Sequence, residues 1–329
     1  MKPTIAITIG DFNGIGPELA LKVAVHAGVR KLCTPVLVGP LNIFEHVRET
    51  LKIRTTLQKA AALLPKGNIL PVADVGDGIW ADLQPGAPTK ASGRTAGTAL
   101  ETAVRMCMEG KANAMVTAPV SKHGLHLAGY NFPGQTEMIA LFSRSQRVSM
   151  MLVSDALRIG LVTIHIPLKS VSERIMSEKL RDKIVVIHDS LKRDFGISKP
   201  RLAVLGLNPH AGESGVLGDE EEQIIGPTIK ELSGEGLRLE GPFPADGFFG
   251  NKTYKQFDCV VAMYHDQGLI PLKMMSFGKA VNFSAGLDIV RTSPDHGTAF
   301  DIAGKGVARI DSMVEAVKLA VNITKRRHD

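Results

Sequence analysis

The sequence has few of the residues on which several classes of protein depend. Its three cysteines, Cys33, Cys107 and Cys259, are odd in number, lie far apart and form no CxxC pair. This pattern excludes a disulfide framework and a zinc knot and predicts reduced thiols. No apolar run approaches the roughly 18 residues that a membrane span needs, and no secretory signal pattern stands at the N-terminus. We therefore expect a cytoplasmic protein without a membrane segment.

The charge balance is moderately basic, with a formal net charge of +6 over 329 residues. Lysine and arginine are scattered, and only Lys325-Arg326-Arg327 form a cluster. No aromatic-basic RNA motif or helix-turn-helix pattern accompanies them. The balance therefore favours anionic metabolites over nucleic acid as ligands.

Short apolar runs alternate with longer amphipathic segments along the chain, which is typical of a βα repetition. Several of the apolar runs lack polar residues altogether, which indicates strands covered on both faces. Strands are predicted at Thr4–Ile9, Pro35–Gly39, Ala114–Ala118, Ser149–Val153, Ile159–Ile164, Arg201–Leu207 and Cys259–Met263. Helices are predicted at Pro17–Val25, Arg94–Met108, Ser170–Phe195, Glu220–Leu232 and Ser312–Ile323.

Three histidines, His165, His210 and His265, each follow one of these apolar strands. Ligands of open α/β sheets gather outside the carboxyl ends of the strands, and three imidazoles there are able to hold one divalent cation with positions left for substrate. A histidine after a strand is also typical of an ordinary turn or core position. The spacing alone leaves both interpretations open.

Other polar residues fit substrate chemistry at the same strand ends. Asp246 and Asp266 are candidate acids or bases near such a cation, and each is equally suited to cap a turn. Lys273 and Arg291 follow apolar segments and are suited to carboxylate or phosphate, although a solvated surface position is the alternative. The acidic run Glu220–Glu222 follows Asp219 and is interpreted as a helix start rather than a metal site.

Two glycine-rich segments and one threonine complete the pattern. The segment Gly10–Glu18 joins a strand to a helix, but its spacing is neither GxGxxG nor that of a P-loop, which argues against a Rossmann dehydrogenase. Thr136 lies at a predicted helix start, where a phosphate or a plain capping turn would fit. The small residues of Asp295–Gly306 allow a loop to approach a flat ligand closely.

The Asp295–Gly306 segment resembles a loop of a known protein superfamily. His296-Gly297-Thr298-Ala299, followed by Asp301-Ile302-Ala303-Gly304-Lys305-Gly306, resembles the adenine-side cofactor loop of the isocitrate and isopropylmalate dehydrogenase superfamily. The whole chain from about Thr4 to Asn322 is similar to the 4-hydroxythreonine-4-phosphate dehydrogenase family of vitamin B6 synthesis. The similarity rests on the motifs Gly14–Glu18, Val116–Lys122, Asn208–Glu213 and Ala262–Gly268.

The resemblance implies a fold of two α/β/α lobes around a central cleft, without a Rossmann domain, and one catalytic unit spanning 1–329. The lobes are expected at about 1–130 plus 286–329, with the termini and the cofactor loop, and at 131–285, with the metal site and the dimer interface. It also implies a homodimer with a shared active site.

Residue roles follow from the same resemblance. His165, His210 and His265 match the metal ligands of the family, with the third supplied by a partner subunit. Asp246 matches an acid close to the metal. The substrate-binding positions are matched by Gln135, Thr136, Lys273, Asn282 and Arg291.

The implied reaction is an NAD- or NADP-dependent, divalent-metal-dependent oxidation of 4-phosphohydroxy-L-threonine. The β-keto acid product then decarboxylates to 3-amino-2-oxopropyl phosphate, with Asp246 or Lys273 as catalytic groups and Zn, Mg, Co or Mn as the cation. The family usually has histidine where this chain has Gln135, which leaves open D-threonate or D-erythronate 4-phosphate or another hydroxy acid as substrate. A phosphotransacetylase-like acyltransferase is the alternative from another class.

Overall fold

A computed structural model describes residues 2–60, 68–76 and 83–328, and their secondary structure is mixed α/β. The strands are β1 (Thr4–Thr8), β2 (Thr34–Val38), β3 (Thr56–Lys59), β4 (Ile69–Ala73), β5 (Ala114–Thr117), β6 (Ser149–Val153), β7 (Arg158–Leu161), β8 (Arg201–Leu205), β9 (Arg238–Phe243), β10 (Cys259–Ala262), β11 (Val281–Ala285) and β12 (Arg291–Pro294). The helices are α1 (Gly16–Val25), α2 (Ala27–Leu32), α3 (Leu41–Thr50), α4 (Lys90–Met108), α5 (Lys122–Leu127), α6 (Gln135–Phe142), α7 (Ser177–Arg193), α8 (Gly226–Gly234), α9 (Ala245–Gly250), α10 (His265–Ser276) and α11 (Asp311–His328).

The chain divides into two compact units, unit 1 (1–146 and 287–329) and unit 2 (147–286). In unit 1 the strands follow the order β3-β4-β2-β1-β5-β12, and each neighbouring pair is parallel. Strands β1, β2 and β5 are almost wholly buried, as is typical of parallel strands covered on both faces. These strands are mainly apolar in sequence because both of their faces are buried.

Unit 2 has the strand order β11-β6-β7-β10-β8-β9. Strand β6 is antiparallel to both of its neighbours, whereas β7, β10, β8 and β9 run parallel. The predicted strands that precede His165, His210 and His265 are therefore adjacent, with β10 in the middle. Their carboxyl ends lie at one edge of the sheet.

Unit 1 extends further along the chain than the lobe expected at 1–130 plus 286–329, because residues 131–146 belong to it. Helix α6 starts in this stretch, and the Gln135 side chain is hydrogen-bonded to Arg291 of the same unit. Just before it, the ring of Tyr130 fills the space at Gly97 of α4, where a Cβ would lie 2.1 Å from a ring carbon. These contacts join distant parts of the sequence, and no compositional break marks them.

Several element predictions differ from the structure. The helix predicted from Ser170 begins only at Ser177, because Met176 has extended backbone angles and the preceding residues form isolated 3₁₀ turns. The residues after His265, expected as a turn, form α10. Lys273 therefore lies within α10 and not at a strand end. Arg291, which was also expected after a strand, is the first residue of β12.

Candidate active site

Two of the three predicted metal ligands lie side by side in unit 2. The ring centroids of His165 and His265 are 5.5 Å apart, because His165 follows β7 and His265 begins α10 directly after the neighbouring strand β10. The Nδ1 atom of His265 is 2.6 Å from the Asp266 carboxylate. A carboxylate that holds one ring nitrogen directs the other toward a ligand, as is common around metal-binding histidines.

The third histidine, His210, is placed differently. It lies in a 3₁₀ turn after β8, its side chain is 65% exposed, and its Nδ1 atom is 3.3 Å from the Glu213 carboxylate. Within the described ranges of this single chain, no group of three or more His, Cys, Asp or Glu side chains is arranged to hold a metal ion. The imidazole pair is a candidate part of a cation site. Within one chain His265 lies next to His165, and its assignment to a partner subunit stays a prediction.

Gln267 is a residue that the sequence patterns did not single out. Its side-chain oxygen accepts the Met263 N–H at 2.7 Å, and its amide nitrogen donates to the Gly206 carbonyl at 2.7 Å. One side chain thus ties the end of β10, before His265, to the end of β8, before His210. Its position two residues after His265 is the only signal in the sequence for this role.

The other predicted residues of unit 2 are spread over three elements. Asp246 is exposed on α9, and Lys273 is exposed on α10. Asn282 lies on β11, and its side-chain oxygen is buried without a hydrogen-bond partner. An unsatisfied buried amide oxygen is costly in a folded protein, which makes Asn282 a candidate acceptor for a ligand donor.

In unit 1 the guanidinium of Arg291 is buried, with only 2% of the residue exposed. It donates to the Thr117 hydroxyl at 2.9 Å and to the Gln135 side-chain oxygen at 3.3 Å. Burial lowers the pKa of Arg291 to about 10, against the opposing effect of Glu137, so the group stays cationic at neutral pH. The alternative of a solvated surface arginine is therefore wrong.

The contact with Arg291 also fixes how Gln135 presents its amide. A guanidinium has only donors, so Gln135 must turn its oxygen toward it. The amide nitrogen then carries two N–H donors on its other side. Thr136 is the next residue in the first turn of α6, which brings amide, hydroxyl and guanidinium donors to one region of unit 1.

The predicted cofactor loop of unit 1 packs on the glycine-rich turn after β1. The Ile15 N–H donates to the Thr298 carbonyl at 3.0 Å, and a Cβ on Gly14 would lie 2.7 Å from that carbonyl oxygen. Ala299 has a left-handed φ of 42°, and His296-Gly297 precede this contact. The Gly10–Glu18 turn, which lacks the spacing of a phosphate loop, thus supports the 296–299 segment. The close approach of Thr298 explains the glycine at position 14.

The three cysteines take no part in this chemistry. All are free, and burial raises the pKa of Cys33, Cys107 and Cys259 to about 12 in each case. A thiol with so high a pKa is protonated at neutral pH and is a poor nucleophile. That the thiols stay reduced remains a prediction.

Strand-end imidazoles and a buried guanidinium on α/β units are typical of an enzyme for small anionic metabolites. The model of the family described as pyridoxal phosphate biosynthetic protein PdxA matches residues 31–320. A 4-hydroxythreonine-4-phosphate dehydrogenase of Bacteroides thetaiotaomicron is 40% identical over 328 residues, which cover 99% of this chain and 90% of that protein. The chain therefore belongs to the PdxA family.

Solved structures agree with this assignment. The crystal structure of a 4-hydroxythreonine-4-phosphate dehydrogenase from Klebsiella pneumoniae has a TM-score of 0.89 and 36% identity, with 98% of both chains covered. The expected dehydrogenase-like α/β fold is confirmed by this likeness. A branched-chain phosphotransacylase from Enterococcus faecalis, at 12% identity and a TM-score of 0.54, is similar in fold alone. Among the residues that the structure describes, every helix is too short or too polar to cross a membrane.

Proposed function

We propose that this protein is a divalent-metal-dependent NAD(P) dehydrogenase that oxidises 4-phosphohydroxy-L-threonine in the biosynthesis of pyridoxal phosphate. Membership of a family whose relatives are named 4-hydroxythreonine-4-phosphate dehydrogenases supports the substrate. The single observation that carries the site is the His165–His265 pair at 5.5 Å. It provides neutral nitrogen ligands at a strand-end edge, where substrates of α/β enzymes bind.

The proposed cation is held by His165, His210 and His265. The resemblance assigns His265 to the partner subunit, so the complete ligand set requires a homodimer. When bound, a divalent cation supplies Lewis acidity, which acidifies a hydroxyl and polarises a carbonyl. Imidazole ligands suit zinc or cobalt, and magnesium or manganese fit if the substrate adds oxygen ligands.

The residues of the chain have separate roles in the proposed reaction. Arg291, Gln135 and Thr136 donate hydrogen bonds to the substrate phosphate, for which their donors are suited. Lys273 neutralises a further anionic group, and Asn282 accepts a hydrogen bond from a substrate donor. Asp246, which is exposed and ionisable, takes the hydroxyl proton directly or through a water.

The bond changes balance with a nicotinamide cofactor. When bound by the 296–299 segment, NAD or NADP would supply the hydride acceptor for oxidation of the hydroxyl-bearing carbon, and Asp246 would accept the hydroxyl proton. The resulting β-keto acid breaks its bond to the carboxylate carbon, releases carbon dioxide and takes up a proton to give 3-amino-2-oxopropyl phosphate. His296, Gly297, Thr298 and Ala299, which are supported by the Gly14 turn, are the proposed contacts of the cofactor.

A homodimer forms part of this proposal. Ile270, Met274 and Phe277 lie on and directly after α10 and are strongly exposed, with Phe277 at 82%. Ile270 and Met274 are four residues apart and share one face of α10, and Phe277 directly follows the helix. Exposed apolar residues grouped in this way mark a candidate interface. A cytoplasmic location belongs to the same proposal, and the three free cysteines are consistent with it.

Two alternative functions differ in substrate or in reaction class. Gln135 offers neutral donors only, which suits D-threonate or D-erythronate 4-phosphate as well as 4-phosphohydroxy-L-threonine. A phosphotransacetylase-like acyltransferase has only the distant likeness in fold to support it. The dehydrogenase proposal is favoured because the family match and the histidine pair point to the same chemistry.

The test is the absorbance of reduced nicotinamide, with purified protein, 4-phosphohydroxy-L-threonine and either NAD or NADP, with added cation or with chelator. We expect cofactor reduction that depends on the cation. If the protein binds the cofactor but reduces none, D-threonate and D-erythronate 4-phosphates are tried next. If no hydroxy acid reduces the cofactor and acyl transfer to phosphate is found instead, the proposal is wrong.

A further inference from the structure

The turn that carries His210 has a backbone conformation that non-glycine residues rarely adopt. Four non-glycine residues of this turn have left-handed φ values: His210 (53°), Ala211 (51°), Glu213 (44°) and Ser214 (55°). Such conformations are disfavoured for residues with a Cβ and persist only where the surroundings hold them. The turn therefore needs an external support.

Glu221 provides that support. It is only 4% exposed, and its Oε1 atom accepts the backbone N–H groups of Leu207 at 2.6 Å and Asn208 at 2.8 Å. Its Oε2 atom accepts the Asn208 side-chain amide at 2.9 Å. A single buried carboxylate thus holds both residues at the entrance of the turn. Charge-assisted bonds of this kind are about twice as strong as neutral ones.

The backbone closes on this carboxylate from two sides. A Cβ on Gly206 would lie 2.9 Å from Oε1 of Glu221, and a Cβ on Gly212 would lie 2.7 Å from Oε2. The absence of a side chain at both positions thus leaves room for the carboxylate of Glu221. The turn is wrapped around the carboxylate, so its shape depends on the acceptor in the middle.

The neighbouring Glu220 adds to the clamp, since it accepts the Asn208 amide at 2.6 Å and also the Ser172 hydroxyl. The acidic run is thus more than the helix start that its sequence predicts. The acceptor bonds of Glu221 go to the main chain of the preceding loop and to Asn208. Both of its oxygens are occupied by N–H donors, so it is placed to act through the turn and not as a cation ligand.

We propose that Glu221 is the positioning residue of His210: its carboxylate fixes the left-handed turn that presents this imidazole to a divalent cation. The inference rests on the proposed function, in which His210 is a cation ligand. Loss of the carboxylate frees the turn to relax to ordinary backbone angles and carries the imidazole away from the position of ligation.

The test measures the affinity of the full-length protein for Co²⁺ and Zn²⁺, by competition with a chromophoric chelator, together with the visible spectrum of bound Co²⁺. In Glu221→Gln an amide N–H faces the Asn208 donor, and we expect the affinity to fall by roughly 10- to 100-fold, as is typical when a supporting residue is lost. The matched control is Glu222→Gln, which changes an exposed neighbour and should bind like the wild type.

A double-mutant cycle separates positioning from a general loss of stability. If Glu221 acts through His210, Glu221→Gln should have no further effect on affinity in a His210→Ala background. Additive losses would overturn the proposal, and so would wild-type affinity in Glu221→Gln when His210→Ala has lost affinity. Wild-type affinity in His210→Ala would instead show that His210 is not a ligand, which refutes this part of the proposed function as well. Should Glu221→Gln fail to fold, Asn208→Ala replaces it, and wild-type affinity in that variant would refute the clamp.

Discussion

The candidate site residues of the two units differ in how far they are buried and in how many partners the same chain gives them. In unit 1, Arg291 is 2% exposed, and its guanidinium is bound by Thr117 and Gln135 of the same chain. In unit 2, the side chains of His210 and His265 are 65% and 34% exposed, and no described cluster completes a metal site. Unit 1 thus encloses its cationic group with side chains of the same chain, whereas the candidate ligands of unit 2 are open to solvent.

The apolar surfaces differ in the same sense. The exposed large hydrophobic residues described in unit 1 are scattered, as with Met108 and Leu141 on different helices. In unit 2, Ile270 and Met274 lie four residues apart on α10, and the exposed Phe277 directly follows the helix. Single exposed apolar residues need no explanation, whereas such a group is a candidate interface. On the proposed function, the difference predicts that one chain suffices to bind the substrate anion, whereas cation binding requires the homodimer.

The largest expected effect tests the proposed cation site of unit 2. In His265→Ala, loss of a direct ligand should lower kcat/KM by more than the roughly 10- to 100-fold typical of supporting residues. Steady-state kinetics at saturating cation, with calorimetry for cation binding, would check it. The control His26→Ala removes an exposed histidine and should leave both unchanged, and full activity in His265→Ala would contradict the assignment.

The next effect concerns the enclosed guanidinium of unit 1. In Arg291→Lys the planar fork is lost while the charge is kept, so KM for the phosphorylated substrate should rise by about 10- to 100-fold. The thermal midpoint is measured alongside, because Thr117 and Gln135 lose a donor. Arg309→Lys, at an exposed ion pair with Asp311, is the matched control. An unchanged KM would show that Arg291 is structural only.

A smaller effect tests whether assembly belongs to unit 2 alone. Met274→Glu places a charge on the apolar face of α10, and we expect the dimer dissociation constant to rise by about 10-fold or more, since about 1.4 kcal/mol corresponds to tenfold. Sedimentation velocity across a concentration series measures it. Met108→Glu adds the same charge on an exposed site of unit 1 and should not change assembly. Equal behaviour of the two variants would remove the distinction between the units.

The smallest effect is a pH dependence within unit 1. Asp11 is fully buried after β1, and burial raises its pKa above the model-peptide value of 3.8, against hydrogen bonds from Asn13 and Ser92. A raised native pKa contributes stability below the unfolded pKa, and this contribution is lost as pH rises through the native pKa. The free energy of unfolding of the wild type should therefore fall relative to that of Asp11→Asn from about pH 4 upward, by about 1.4 kcal/mol per unit of elevation.

Urea denaturation of both proteins between about pH 4 and pH 8 measures this difference. Asp155→Asn, at an exposed position, is the control and should show no such trend. A difference that grows in the opposite direction would mean that Asp11 is stabilised as an anion.

Strand prediction from the sequence succeeded where a short apolar run forms a strand that is buried on both faces. Each of the seven predicted strands overlaps an observed strand, because runs such as Ala114–Val116 are apolar and are buried on both faces. Five strands were missed: β3, β4, β9, β11 and β12. Polar residues or proline occur in all five, and in β11 and β12 they include the candidate site residues Asn282 and Arg291.

The sequence by itself determined the α/β class, the three histidines at strand ends, the prediction of reduced thiols and the resemblance to a dehydrogenase family. These features follow from residue type and spacing, which act over a few neighbouring positions. Only the tertiary structure decided that His165 lies beside His265, that Arg291 is enclosed by Gln135, and that Glu221 holds the turn of His210. The reason is that strand order and loop closure bring together residues far apart in the sequence, 156 positions in the case of Gln135 and Arg291, and no local pattern records which strands become neighbours.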